Sequence, residues 1–269
     1  MQPCRRSHLY PPRHHGQKGV VPMINIDHLN KTINRHEVLC DVSMRISPGT
    51  IAGISGPNGS GKTMLMRAAV GLVRPTSGTI TVNGCNPWIH TSKLSRASNA
   101  TDCVGQKTSG VACHPGKWPT IGLLLEGPAF LDNCTGYENL KILADVRGLP
   151  SKDAILAALE SVGLNPNDRR RYRAYSLGMR QRLGIAGAIL GNPEVLILDE
   201  PTNALDDSGV ELIISLIKQA INQGTTVMLT CHDSDVLREL SHEIWYMAEG
   251  RITHHEALKE TPEPMRVKP

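Results

Sequence analysis

Eight consecutive residues constrain this chain more than any other stretch: Gly56-Pro57-Asn58-Gly59-Ser60-Gly61-Lys62-Thr63. They fit the pattern GxxxxGK[ST], follow a strand pattern at Thr50–Ser55 and open a helical run from about Lys62 to Leu72. A backbone can wrap closely around a phosphate only where side chains do not intervene, which is the use of the glycines. The amide N–H groups of such a loop, and the helix N-terminus behind it, attract negative charge. Lys62 can reach β- and γ-phosphates, and the Thr63 hydroxyl can ligate Mg²⁺. The loop therefore predicts a site for a nucleoside triphosphate such as ATP.

A second stretch completes that chemistry. Val195-Leu196-Ile197-Leu198-Asp199-Glu200 reads as a short apolar strand that delivers two carboxylates to its C-terminal end. Open α/β sheets bind ligands at that edge. Alone, an apolar strand ending in two acids is usually just a strand end. With the phosphate loop, Asp199 becomes the residue expected to hold Mg²⁺ through its water shell, and Glu200 the one to orient and polarise the attacking water.

The rest of the chain fits an alternating α/β pattern. Val42, Met44 and Ile46 alternate with Ser43 and Arg45 as in a half-buried strand. Further strands are expected at Thr79–Val82, Thr225–Thr230 and Ile244–Met247, with helices over about 135–190 and near 208–222. Strands alternating with helices imply a mainly parallel sheet covered on both faces. Residues 1–22 are rich in Pro, His and Arg without periodicity and read as a disordered extension. The patterned sequence begins at Met23. Residues 85–120 show no clear period and read as an irregular surface insertion, and residues 256–269 as a flexible tail.

Composition excludes several classes. The 269 residues suit one large α/β domain with at most a small attached subdomain. No window of about 18 apolar residues exists, so any membrane part must come from a partner. The net charge is +4, and the Arg and Lys residues are scattered apart from Arg169, Arg170, Arg171 and Arg173, so no nucleic-acid partner is expected. The seven cysteines include no CxxC pair, which reads as a reduced protein rather than a disulfide framework.

One further stretch decides the family. Tyr175-Ser176-Leu177-Gly178-Met179-Arg180-Gln181-Arg182 lies just before the apolar strand. It resembles the ABC signature motif, usually LSGGQ, in the YSLGM form common in exporter cassettes of the bacitracin-resistance and lantibiotic-immunity type. Asn203-Ala204-Leu205-Asp206 resembles the D-loop of that family, and His232, directly after a strand, matches its switch histidine. The resemblance covers roughly residues 23–255. It implies a P-loop NTPase (RecA-like) α/β core with an N-terminal antiparallel β portion and an inserted helical subdomain at about 134–190. It implies two cassettes packed head to tail, each ATP lying between the phosphate loop of one and the signature of the other. Ser176 and the Gly178 N–H would then contact the γ-phosphate bound by the opposite copy. Asp206 would act from the D-loop, and His232 would hold the γ-phosphate and the water in register. Lys62, Glu200 and His232 form the expected catalytic set.

Two positions depart from the family pattern. Ile33 takes the place of the aromatic that stacks on adenine, which replaces a π-stack by an apolar contact. Glu126, in a segment resembling IGALIESP of the bacitracin-type exporters, takes the place of the lid glutamine. A carboxylate there can accept but cannot donate as an amide does. Asn133–Leu140 resembles NLTAYENL, the start of the helical subdomain, where the family receives a permease. The implied protein is an ATPase that drives export of a peptide antibiotic, drug or lipid-linked compound through a separate permease, peripheral on the inner face of the cell membrane. The alternatives are a soluble ABC ATPase acting on nucleic acid or the ribosome, and a weakly hydrolysing regulatory cassette. Cys103, Cys113 and His114 lack the close spacing of a metal site, and the pairs His14-His15 and His254-His255 read as solvated.

Overall fold

The computed structural model describes residues 21–88, 119–149 and 152–259. Almost all of the N-terminal extension, most of the 85–120 insertion and the tail beyond residue 259 lie outside those residues. In chain order the elements are β1 (Ile24–Ile33), β2 (His36–Ile46), β3 (Ile51–Ser55), α1 (Lys62–Ala69), β4 (Ser77–Val82), β5 (Ile121–Leu124), α2 (Gly136–Arg147), α3 (Lys152–Ser161), α4 (Leu177–Ile189), β6 (Val195–Leu198), α5 (Asp207–Asn222), β7 (Thr226–Thr230), α6 (Ser234–Leu240), β8 (Glu243–Ala248) and β9 (Arg251–Ala257). The chain divides into two compact units. The first holds residues up to Pro48, Ile54–Trp118 and Glu243 onward; the second holds Gly49–Gly53 and Pro119–His242.

In the first unit β1 is the centre of an antiparallel sheet ordered β2-β1-β4. Ile24 faces Ile46 and Val82, and Ile26 faces Met44 and Ile80, so the alternation puts one apolar face into the core. The register shifts after Ile26, where β1 bulges. At that bulge only glycine fits position 78: its φ is 87°, and a Cβ would stand 2.3 Å from the His28 carbonyl oxygen. The same unit holds α1 and the hairpin β8–β9.

In the second unit the strand order is β5-β6-β7-β3, with β5, β6 and β7 parallel. Every residue of β6 and β7 is buried, the signature of a strand covered on both faces. The polar ends are paired: Gly49 N–H donates to Thr226 Oγ1 at 2.9 Å, and Val227 N–H to the Thr50 carbonyl at 2.8 Å. β5 lies so close to α4 that a Cβ at Gly122 would fall 2.0 Å from the Ala188 carbonyl oxygen.

Helix starts are set by side-chain caps. Thr135 and Glu138 form a reciprocal capping box on α2, whose end is the left-handed Gly148. Ser176, Asp206 and Asp233 cap α4, α5 and α6. The run expected to be helical over 135–190 is broken at 162–176. Pro166 interrupts it, the Asn165 and Asp168 side chains bond local backbone N–H groups, and only a 3₁₀ turn at Tyr172–Ala174 remains. α1 stops at Ala69 rather than Leu72, turned by Gly71 at φ 80°. β9 extends to Ala257, into the segment read as tail.

Candidate active-site residues

In the first unit the phosphate loop is shaped by glycines at positive φ, where an L side chain is strained. Gly56 has φ 151°, and a Cβ there would stand 2.1 Å from the Met247 carbonyl oxygen. Gly61 has φ 103°, and its Cβ would meet the Val38 carbonyl at 3.0 Å. Gly59, at φ 78°, has open space around it and owes its identity to conformation alone. The loop is tied down by Gly250 N–H, which donates to the Ser60 carbonyl at 3.0 Å.

The loop fits a phosphate chemically. Gly61 precedes α1 without a side-chain cap, so no side chain competes for the first-turn N–H groups. Ser60 is 3% exposed, and its buried hydroxyl has no hydrogen-bond partner among the described residues, which suits a ligand oxygen. Lys62 Nζ lies over the loop, donating to the carbonyls of Gly56 at 2.7 Å and Pro57 at 3.1 Å. Pro57 and Asn58 are exposed on the loop, and Thr63 is half-buried in the first turn of α1. Ile33 stands at the end of β1, 38% exposed, as an apolar contact for a base requires.

In the second unit the C-terminal ends of β5, β6 and β7 gather the remaining acidic and imidazole groups. Glu126 follows β5 with φ 54°, Asp199 and Glu200 follow β6, and His232 follows β7. Asp199 is buried, and its N–H donates to the Leu124 carbonyl at 2.7 Å. One hydroxyl organises both acids: Thr230 Oγ1 donates to Asp199 Oδ1 at 2.6 Å and accepts from the Glu200 N–H at 2.9 Å. Glu200 has φ 52°, a left-handed conformation that costs about 1 kcal/mol or more in a non-glycine residue and persists only when its surroundings enforce it. Its carboxylate is held from two sides. His232 Nε2 lies 2.9 Å from Oε1, and Asn203 Nδ2 donates to Oε2 at 2.5 Å.

The signature residues lie on α4. Ser176 caps the helix by accepting from the Met179 N–H at 3.2 Å, and Leu177 is 69% exposed. Gly178 lies close against the next loop: a Cβ there would stand 3.0 Å from the Ala204 carbonyl oxygen. Asp206 caps α5, and hydrogen bonds from Ser208 and the Gly209 N–H hold its carboxyl below the usual carboxylate range, with a smaller contribution from Arg182.

Thus the structure joins Glu200 to His232 directly and Asp199 to Glu200 through Thr230. Ser176 makes its bond locally. Sequence reading passed over Thr230, Asn203 and Gln181, although all three stand within the motifs it singled out. The pair His254-His255 was read as solvated, and His255 is not: it stacks on Trp245 at 4.0 Å and lies 2.9 Å from Glu243 Oε2, almost buried. Among the described residues no cluster of three or more His, Cys, Asp or Glu could hold a metal.

A family model described as ABC transporter matches residues 39–203, more than half of the chain. The chain belongs to the ABC transporter family. It is 35% identical over 241 residues to the bacitracin transport ATP-binding protein BcrA of Enterococcus faecalis, covering 88% of this chain and 70% of that one. It is 33% identical to the lantibiotic transport ATP-binding protein SrtF of Streptococcus pyogenes, covering 86% and 89%. Among solved structures it resembles the dimeric ATP-binding cassette MJ0796 in a post-hydrolysis state bound to ADP and Pi, with a TM-score of 0.73, 25% identity, and coverage of 88% of this chain and all of that one. The protein is accordingly an ABC transporter's ATP-binding and ATP-hydrolysing subunit with a P-loop NTPase fold.

Proposed function

We propose that this ABC cassette works as one of a pair, homo- or heterodimeric, and drives export of a peptide antibiotic, drug or lipid-linked compound through a separately encoded permease at the inner face of the cell membrane. The relatives named for bacitracin and lantibiotic transport support this choice of cargo. Among the described residues no helix is long and apolar enough to cross a membrane.

The observation that carries the hydrolytic reading is the Glu200 carboxylate, held by His232 and Asn203 beyond the end of a buried parallel strand. Gly56 to Thr63 cradle the phosphates, and Lys62 neutralises their charge. The base rests on Ile33, and Glu126 accepts hydrogen bonds at the lid position. Thr63 and Asp199 are hard oxygen donors of the kind Mg²⁺ takes alongside waters and phosphate oxygens, and they would hold it. When bound, Mg²⁺ neutralises charge developing on the phosphates. Glu200 orients and polarises the attacking water, and His232 keeps γ-phosphate and water in register. Ser176, Gly178 and Asp206 serve the nucleotide held by the opposite copy.

The deciding experiment is steady-state ATPase activity of wild type beside Glu200→Gln, with sizing chromatography in ATP. Loss of a general base lowers turnover by about 10²- to 10⁴-fold. The expected result is that loss together with an ATP-trapped dimer. Wild-type turnover in the variant would sink the assignment of Glu200.

A further inference from the structure

Helix α4 carries the signature serine at its cap and, little more than a turn later, a side chain that reaches the hydrolytic loop. Gln181 is buried, and its Nε2 donates to the carbonyl of Glu200 at 3.1 Å and to that of Pro201 at 3.1 Å. Both N–H bonds of one amide are thus spent on consecutive carbonyls, and the first belongs to the residue at φ 52°. Buried carbonyls need donors, and a left-handed glutamate needs surroundings that hold it. The same helix grips the loop further along. Arg182 Nη2 lies 3.3 Å from Asp206 Oδ1, and Gly178 lies against the Ala204 carbonyl. Glu200–Asp206 is therefore strapped to α4 at its start, middle and end, all within the second unit.

We infer that Gln181 is a positioning residue for ATP hydrolysis: it fixes the Glu200 backbone to the signature helix, so that the carboxylate keeps its place only while α4 keeps its own. This rests on the reading of Glu200 as the water-polarising group. Thr230 fixes Glu200 from the amide side, and Gln181 fixes it from the carbonyl side. Neither touches the carboxylate, which is held instead by His232 and Asn203.

The test uses the full chain with Gln181→Met, which keeps length and loses both donors, and Gln181→Lys, which keeps a donor of similar reach. Turnover, KM for ATP, binding of a fluorescent ATP analogue and hydrogen exchange at the Asn203 amide are measured together. That amide donates to the same Glu200 carbonyl at 3.2 Å. The Met variant should lose about 10- to 100-fold in turnover, as a small misplacement of a reacting group does. It should bind the analogue like wild type, exchange faster at Asn203, and be partly rescued in the Lys variant. Turnover close to wild type in the Met variant would overturn the inference. So would a turnover loss matched by lost nucleotide binding and lost thermal stability, or a Lys variant no better than Met. Glu200→Gln, run in parallel, reports separately on the hydrolytic reading.

Discussion

Gly56 shows how little freedom one position can have. Its φ of 151° is costly for any L side chain, and the Met247 carbonyl stands where a Cβ would go. Gly56→Ala should therefore reshape the loop, and ATP binding by isothermal titration should fall at least about tenfold, the scale of a 1.4 kcal/mol penalty. His28 and Asp41 make a different kind of residue-scale statement. Both adopt left-handed backbone at the bulge, and the hydrogen bond that the His28 ring N–H gives to Asp41 Oδ1, at 2.6 Å, raises the His28 pKa above the ordinary imidazole value. A raised folded-state pKa stabilises fully below the unfolded value and is lost as pH rises through the folded one. Both side chains are well exposed, so solvent screens the pair and the effect is small. Asp41→Asn should lower the melting temperature at about pH 6 more than at about pH 8.5. Equal losses at both pH values would remove the pair from the account.

At the scale of elements, caps decide where helices begin. Thr135 accepts from the Glu138 N–H, and Glu138 accepts from the Thr135 N–H at 2.7 Å. Thr135→Ala should cost about 1 kcal/mol in urea unfolding, measured as a shifted midpoint at constant slope. The backbone bond from Thr135 holds the Glu138 carboxyl below its ordinary range, so this part of the cap is present at neutral pH and fades as pH falls through the folded value. Elements with strong periodicity were legible beforehand: β6 and β7 were placed within a residue of their bounds because buried strands are continuously apolar. β9 was not, because Arg251–Ala257 carries two histidines and a glutamate whose partners, Trp245, Tyr246 and Glu243, lie on the neighbouring strand. The break over 162–176 was missed because local Asx hydrogen bonds leave no period. At the candidate site, residue types and spacing singled out the loop, the acids and the histidine, and the structure brings Glu200 and His232 together. The hydroxyl of Thr230 and the amide of Gln181 act through contacts about 30 and 20 residues away in sequence, and such contacts exist only once the strands and α4 are packed.

For the whole molecule, the sharpest question is whether one copy can complete a site alone. Among the described residues the Ser176 hydroxyl bonds within its own helix turn, whereas the phosphate loop carries its own N–H groups and lysine. A head-to-tail pair makes a prediction that no single-copy site shares. Lys62→Ala removes the phosphate lysine, and Ser176→Arg blocks the signature while leaving the loop of that copy intact. Each variant alone should be inactive, since both sites of its homodimer carry the defect. Mixed together, they form heterodimers in which one site carries both defects and the other carries neither. ATPase activity should therefore reappear on mixing and rise to a maximum at equal amounts of the two. A mixture as inactive as its components, with heterodimers confirmed by differently sized tags, would mean that each copy builds its site from its own signature. Ser176 would then be no more than the cap of α4.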